Sequence, residues 1–119
     1  VIVQQADGSM FAAGACGGRK IFPAVFQLIS SMVDFGMTVD AAAHQGRLDV
    51  SGTDLVTIMA SLPDSIIQGL VDHYPETLVR INGVSPNLFA LPQIIKRRQD
   101  GTMEGGCFIP SPHAKVSLP

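Results

Sequence analysis

The sequence predicts an α+β domain, and three features carry that expectation. Two Asp-Gly pairs, Asp7-Gly8 and Asp100-Gly101, each sit between strand-like runs, a strong local signal for an antiparallel hairpin. Between them one long segment repeats its apolar residues at helical spacing, and shorter strand-like and helical patterns follow it in mixed order. The chain has 119 residues, 46% of them hydrophobic, which suits one domain over residues 1–119, with no repeat or linker dividing it.

Val1-Ile2-Val3 and Met10-Phe11-Ala12-Ala13 form the arms of the first hairpin, and both arms are expected to be buried. From Arg19 onward Ile21, Val25, Leu28, Ile29 and Met32 recur at helical spacing, while Phe22, Phe26 and Val33 occupy a neighbouring face. A helix apolar around so much of its circumference should be covered on more than one side. Pro23 is tolerable within its first turn, and Gly36 is its stop signal. Thr38 is placed to cap a short second helix with Asp40 in its first turn and Gly46 beyond its end. Residues 47–50 and 55–59 read as strands around Ser51-Gly52. Ser61 with Asp64 resembles a capping box ahead of Ile66, Ile67, Leu70 and Val71, and Pro75 prevents that helix from continuing. Residues 77–81 and 93–98 are further strands, and the last hairpin returns through residues 102–108.

Charge and composition exclude several functions. A net charge of −2 and a pI near 5.8 give no electrostatic footprint for nucleic acid, and Lys96-Arg97-Arg98 reads as a solvated strand end. The uncharged helix Ile21–Val33 is shorter than the roughly 20 residues that cross a bilayer, so it reads as a core helix. His44, His73 and His113 stand at no metal-ligand spacing with one another or with cysteine, so no metal is expected, and no organic cofactor is implied. Cys16 and Cys107 are too few for a disulfide scaffold and are either free thiols or a pair. A Ser-His-Asp set could be drawn from Ser30 or Ser31, His44 and Asp34, yet serines inside a helix commonly satisfy carbonyl groups and no nucleophile elbow is present.

The residues most able to carry chemistry are Gly14-Ala15-Cys16-Gly17-Gly18-Arg19-Lys20-Ile21, a glycine-rich junction running into the long helix. The first N–H groups of a helix lack intrahelical partners and carry partial positive charge, and glycines let a ligand approach them. The junction is therefore either an anion-binding turn or a tight strand-to-helix connection. Arg19 and Lys20 oppose the helix dipole there, which points to an external or partner-chain carboxylate nearby or to a surface salt bridge. Cys16 stands where a thiol can serve as nucleophile or redox sensor, or it is a small turn residue.

Residues 14–49, with Gly17-Gly18, Asp34-Phe35-Gly36-Met37 and Gly46-Arg47-Leu48 in this order, resemble the gamma-glutamyltransferase (gamma-glutamyltranspeptidase) family of N-terminal nucleophile hydrolases. The similarity extends more weakly to Val1-Ile2-Val3, Asp7-Gly8, Asp100-Gly101 and Gly105-Gly106. The resemblance implies the C-terminal portion of that family's small subunit, part of a four-layer αββα sandwich that is incomplete without its upstream segment. It also implies cleavage of gamma-glutamyl amides such as glutathione through an acyl-enzyme on a threonine. By match to the family, the backbone of Gly17 and Gly18 is the oxyanion hole and contacts substrate.

Several positions depart from the family pattern. Cys16 replaces the usual proline before the glycine pair, Gly46-Arg47 stands for a common Pro-Arg, and Gly105-Gly106-Cys107-Phe108-Ile109-Pro110 replaces a Gly-Ala-Ser-Asp-Pro-Arg type ending. The family's catalytic threonine and glutamyl-binding Ser-Ser motif match nothing here, and Val1 lacks the hydroxyl or thiol that an N-terminal nucleophile requires. The expectation is a piece of a longer enzyme whose partners are the large subunit, the N-terminal part of the small subunit and a gamma-glutamyl small molecule. Family analogy suggests a periplasmic or extracellular setting and leaves the cytoplasm open. Two other readings stand beside it: a cysteine-dependent hydrolase or redox-sensitive enzyme using Cys16, and a non-catalytic homologue kept as a binding or structural module.

Overall fold

A computed structural model describes residues 1–52, 54–81, 89–108 and 115–117. The first sheet is antiparallel, in the order β1 (Ile2–Gln4), β2 (Met10–Cys16), β6 (Leu91–Arg97), β7 (Met103–Cys107). Its two hairpins close in the same way. Gln5 N–H donates to Ser9 O at 2.9 Å and Gly8 N–H to Gln5 O at 3.0 Å; Arg98 N–H donates to Thr102 O at 2.8 Å and Gly101 N–H to Arg98 O at 3.0 Å. Both Asp-Gly signals are explained by this geometry, since Gly8 and Gly101 have φ of +84° and +86°. Asp7 and Asp100 accept hydrogen bonds from Ser9 and Thr102, which hold both carboxyl groups below their ordinary value of 3.8.

Helices α1 (Ile21–Val33) and α2 (Val39–His44) cover one face of this sheet. Strand alternation selects what they bury: Phe11, Ala13 and Ile94 point inward and meet Val25, Leu28, Met32, Val39 and Ala42. Thr38 caps α2 as its sequence position implies, its Oγ1 accepting from Ala41 N–H at 3.2 Å. The opposite sheet face carries Ala12, Gly14, Cys16, Gln93 and Ile95, all exposed. Two expectations are corrected here. The β1 arm is an edge strand rather than a buried one, with Ile2 73% exposed. The second apolar face of α1 is uncovered among the described residues, with Phe22 and Phe26 stacked on each other at 6.5 Å and 78% and 64% exposed.

A second sheet has the order β3 (Leu48–Asp49), β4 (Thr57–Met59), β5 (Leu78–Arg80). The pair β3–β4 is antiparallel and β4–β5 is parallel, the latter joined by α3 (Asp64–His73) as a parallel pair requires. Val56, Ile58 and Leu62 form its core with Leu48, Ile67 and Leu70 packed around them. The Ser61–Asp64 capping box does not form. Asp64 is already the first helical residue, Pro63 holds the cap position, and no side chain caps the helix.

Strand boundaries differ from the sequence expectation where glycine and proline obscured them. β2 continues through Gly14 and Ala15 to Cys16, and β6 begins at Leu91 and includes buried Pro92 opposite Ala15. A proline is tolerated so near the start of a strand because few ladder bonds precede it, and Pro92 O still accepts from Phe108 N–H at 3.0 Å.

The side chain of Gln27 joins α1 to β3 by completing the strand's unpaired edge. Its Nε2 donates to Leu48 O at 2.8 Å and its Oε1 accepts from Leu48 N–H at 3.0 Å. Gln27→Leu strips both backbone groups of their partner and is expected to destabilise the protein by about 2 kcal/mol. Urea unfolding checks this, and an unchanged midpoint would contradict it.

Candidate functional site

The glycine pair lies where the central strand β2 gives way to a single 3-10 turn, Gly18–Lys20, and then to α1. Gly17 has φ +153° and Gly18 φ +60°, backbone positions that glycine adopts at little cost and other residues do not. Cys16 closes the β2–β6 ladder opposite Leu91. Just beyond it, a Cβ on Gly17 would lie 2.6 Å from the Cβ of Ala90 and 2.8 Å from its Cα. Ala90 is wholly buried and itself has φ +58°. At Gly18 the opposite holds: an added Cβ would meet nothing within 4 Å. Gly17 therefore permits two backbones to close together, while Gly18 leaves the turn approachable. An apolar groove of about 450 Å³, lined by Ala13, Ile21, Phe22, Val25 and Phe26 with Arg19, opens beside Gly18.

The cations after the glycines oppose the dipole at the start of α1, which has neither an acidic residue in its first turn nor a side-chain cap. Each unfavourable placement costs about 0.3–1 kcal/mol. The carboxylate that answers Lys20 belongs to this chain. Asp49 Oδ2 on β3 lies 3.8 Å from Lys20 Nζ, and both side chains are mostly buried. Asp49 Oδ1 also accepts from Ser51 N–H at 3.1 Å and from Ser51 Oγ–H at 2.6 Å. Arg19 crosses the adjoining turn, where a Cβ on Gly52 would come within 2.8 Å of its Nη1. Spacing along the sequence gave no sign of this pairing, because it depends on β3 returning to the start of α1.

The remaining candidates disperse. Cys16 is an exposed residue at the end of a strand rather than in the turn, Cys107 is buried, and both are free thiols. His44 Nδ1 rests on Asp40 O at 3.0 Å and His73 Nδ1 on Gly69 O at 2.9 Å, so neither imidazole serves Cys16; His113 lies outside the described residues. Ser30 Oγ–H donates to Asp34 at 2.6 Å without a histidine, so the Ser-His-Asp set is not assembled. Among the described residues no group of three or more His, Cys, Asp or Glu could hold a metal ion, and no helix is long and apolar enough to cross a membrane.

Arg47 is 2% exposed, an unusual burial for a cation. Its Nη1 donates to Ala43 O at 3.1 Å and Gln45 O at 3.2 Å, and its guanidinium lies 4.5 Å from the Phe108 ring centroid. Nε and Nη2 have no partner among the described residues, and burial pushes its pKa down to about 10.

This arrangement of sheets and helices is an α+β domain that matches part of the chains of enzymes with the N-terminal nucleophile hydrolase fold. A Helicobacter pylori gamma-glutamyltranspeptidase mutant is similar with TM-score 0.76 and 18% identity, over 93% of this chain and 59% of that one. The Bacillus anthracis transpeptidase enzyme CapD is similar with TM-score 0.77 and 13% identity, over 99% of this chain and 68% of that one. A cephalosporin acylase from Bacillus halodurans is similar with TM-score 0.73 and 25% identity, over 83% of this chain and 18% of that one. The chain thus spans about three fifths of the length of the gamma-glutamyltranspeptidase chain it resembles. No family model and no curated protein matches the sequence.

Proposed function

We propose that residues 1–119 are the C-terminal portion of the small subunit of a gamma-glutamyltransferase-like enzyme, with Gly17 and Gly18 contributing backbone N–H groups to its oxyanion hole. A threonine hydroxyl on another segment attacks the gamma-glutamyl carbonyl carbon, and the carbonyl oxygen becomes the oxyanion that the turn stabilises. Collapse of that intermediate expels the protonated amine and leaves a glutamyl ester on the threonine. Water or an amino-acid or peptide amine then releases the glutamyl group. Each well-placed donor in such a hole is typically worth about 3 kcal/mol.

The observation that carries this reading is the left-handed Gly17-Gly18 turn at a strand-to-helix junction, with open space at Gly18. The fold and the share of the longer enzymes' chains that this chain spans support it further. The remaining part of the enzyme supplies the nucleophile and covers the exposed faces of α1 and the first sheet. The test is release of p-nitroaniline from gamma-glutamyl p-nitroanilide by the full protein. No cleavage across a panel of gamma-glutamyl and other acyl substrates would favour the binding-module reading instead.

Exposure of Cys16 beside the turn keeps a cysteine-dependent reading testable. Under the threonine mechanism Cys16→Ala in the full protein retains turnover within about threefold, because the side chain contributes no bond to the reacting atoms. Abolished turnover, together with inactivation by alkylation of Cys16, would transfer the nucleophile's role to this residue.

A further inference from the structure

We propose that Lys20 and Asp49 are a positioning pair for the Gly17-Gly18 turn, an inference that rests on reading that turn as the oxyanion site. The turn is held on its entry side by contact between Gly17 and Ala90. On its exit side, α1 has no side-chain cap and no acid in its first turn to fix the N-terminus. Lys20 is both the last residue of the 3-10 turn and the N-cap of α1, two residues after Gly18. Its ammonium faces Asp49, whose other carboxylate oxygen is held by the N–H and hydroxyl of Ser51. Asp49 sits on β3, which the Gln27–Leu48 hydrogen bonds fasten to the body of the same helix. The pair therefore ties the exit of the turn to a strand that is itself hydrogen-bonded to α1.

Charge gives the pair a second function. Asp49 is a buried carboxylate, 8% exposed, joined through Lys20 to the turn where negative charge develops during acyl transfer. Without Lys20 its Oδ2 loses the facing ammonium and keeps only the Ser51 hydrogen bonds on Oδ1, so more of its negative charge opposes the oxyanion. Removing Lys20 alone should consequently harm catalysis more than removing both charges.

The experiment uses the full protein with gamma-glutamyl p-nitroanilide, accompanied by amide hydrogen exchange. Lys20→Met is expected to lower kcat about tenfold or more with KM within about twofold, the mark of misplaced transition-state donors rather than lost substrate binding. Adding Asp49→Asn should recover only the part of that loss due to the unpaired carboxylate, bringing kcat to the level of Asp49→Asn alone, and exchange at residues 18–21 should quicken in both single variants and in the double. Asp49→Asn alone, isosteric and able to keep an acceptor for Ser51, provides the same comparison if Lys20→Met does not fold. Asp49→Glu should restore kcat relative to Asp49→Asn. Unchanged kcat and exchange in the single variants, or losses that simply add in the double variant, would overturn the proposal. If the unmutated protein cleaves none of the gamma-glutamyl and other acyl substrates, the oxyanion reading fails by itself. Exchange at residues 18–21 then decides whether the pair fixes the turn, unchanged rates counting against it.

Discussion

Gly18→Val in the full protein is expected to lower kcat for gamma-glutamyl p-nitroanilide by at least about a hundredfold, the usual cost of losing one oxyanion donor. An added Cβ meets nothing within 4 Å, so under the proposed oxyanion role the side chain would enter the space intended for the reacting carbonyl rather than clash with the fold. Its left-handed φ of +60° adds about 1–2 kcal/mol of backbone strain. Melting temperature should therefore fall by only a few degrees. The adjacent substitution separates chemistry from folding. Gly17→Val drives its Cβ to 2.6 Å from Ala90, between two backbones that cannot part without opening the β2–β6 ladder. A loss of stability of about 3 kcal/mol is expected there. Measuring kcat and melting temperature on both variants checks the division. Normal kcat in Gly18→Val removes that residue from the site, and equal destabilisation by both variants returns the whole turn to a structural role.

Arg47 should produce the largest change in stability outside the glycine turn. Arg47→Ala deletes two hydrogen bonds to helix-end carbonyls and the contact with Phe108, and leaves space in a buried site. The expected cost is about 3 kcal/mol or more. Arg47→Met behaves differently because it fills similar volume and removes a charge whose desolvation already depresses its pKa to about 10. Met should therefore lie much nearer the unmutated protein than Ala in urea unfolding. Equal losses for the two variants would show that the guanidinium charge itself, rather than its volume, stabilises this region.

Local patterns in the sequence were sufficient for much of the fold. Apolar spacing located α1, Thr38 marked the start of α2, and both Asp-Gly pairs marked hairpins, because each signal acts within a few residues. Gly14 and Pro92 misled for the same reason: local propensity argues against strand, while pairing between β2 and β6 overrides it. Exposure was less legible. Periodicity shows that Phe22 and Phe26 share an apolar face but not whether this chain covers it. Within the candidate site, the glycines were evident from composition and their separate tasks were not. Ala90 against Gly17, Asp49 against Lys20 and Gln27 against Leu48 are contacts between distant residues, fixed only when the two sheets are placed around α1.

The outward face of the first sheet has Ala12 and Gly14 near its centre, on the central strand β2. Stacked sheets ordinarily stand about 10 Å apart, a distance set by side chains from both faces. Ala12 and Gly14 yield almost none of that thickness at their own positions, so a sheet seated there would have to bring large residues opposite these small ones. Under the proposed function, Gly14 would then serve the shape of a neighbour rather than a need of its own backbone. A Cβ added there meets nothing within 4 Å, and Gly14 has no left-handed φ to protect. A Cβ at Gly14 is thus accommodated by this chain, and if the proposed function holds, the effect of Gly14→Leu would be read in the longer enzyme rather than in this chain alone.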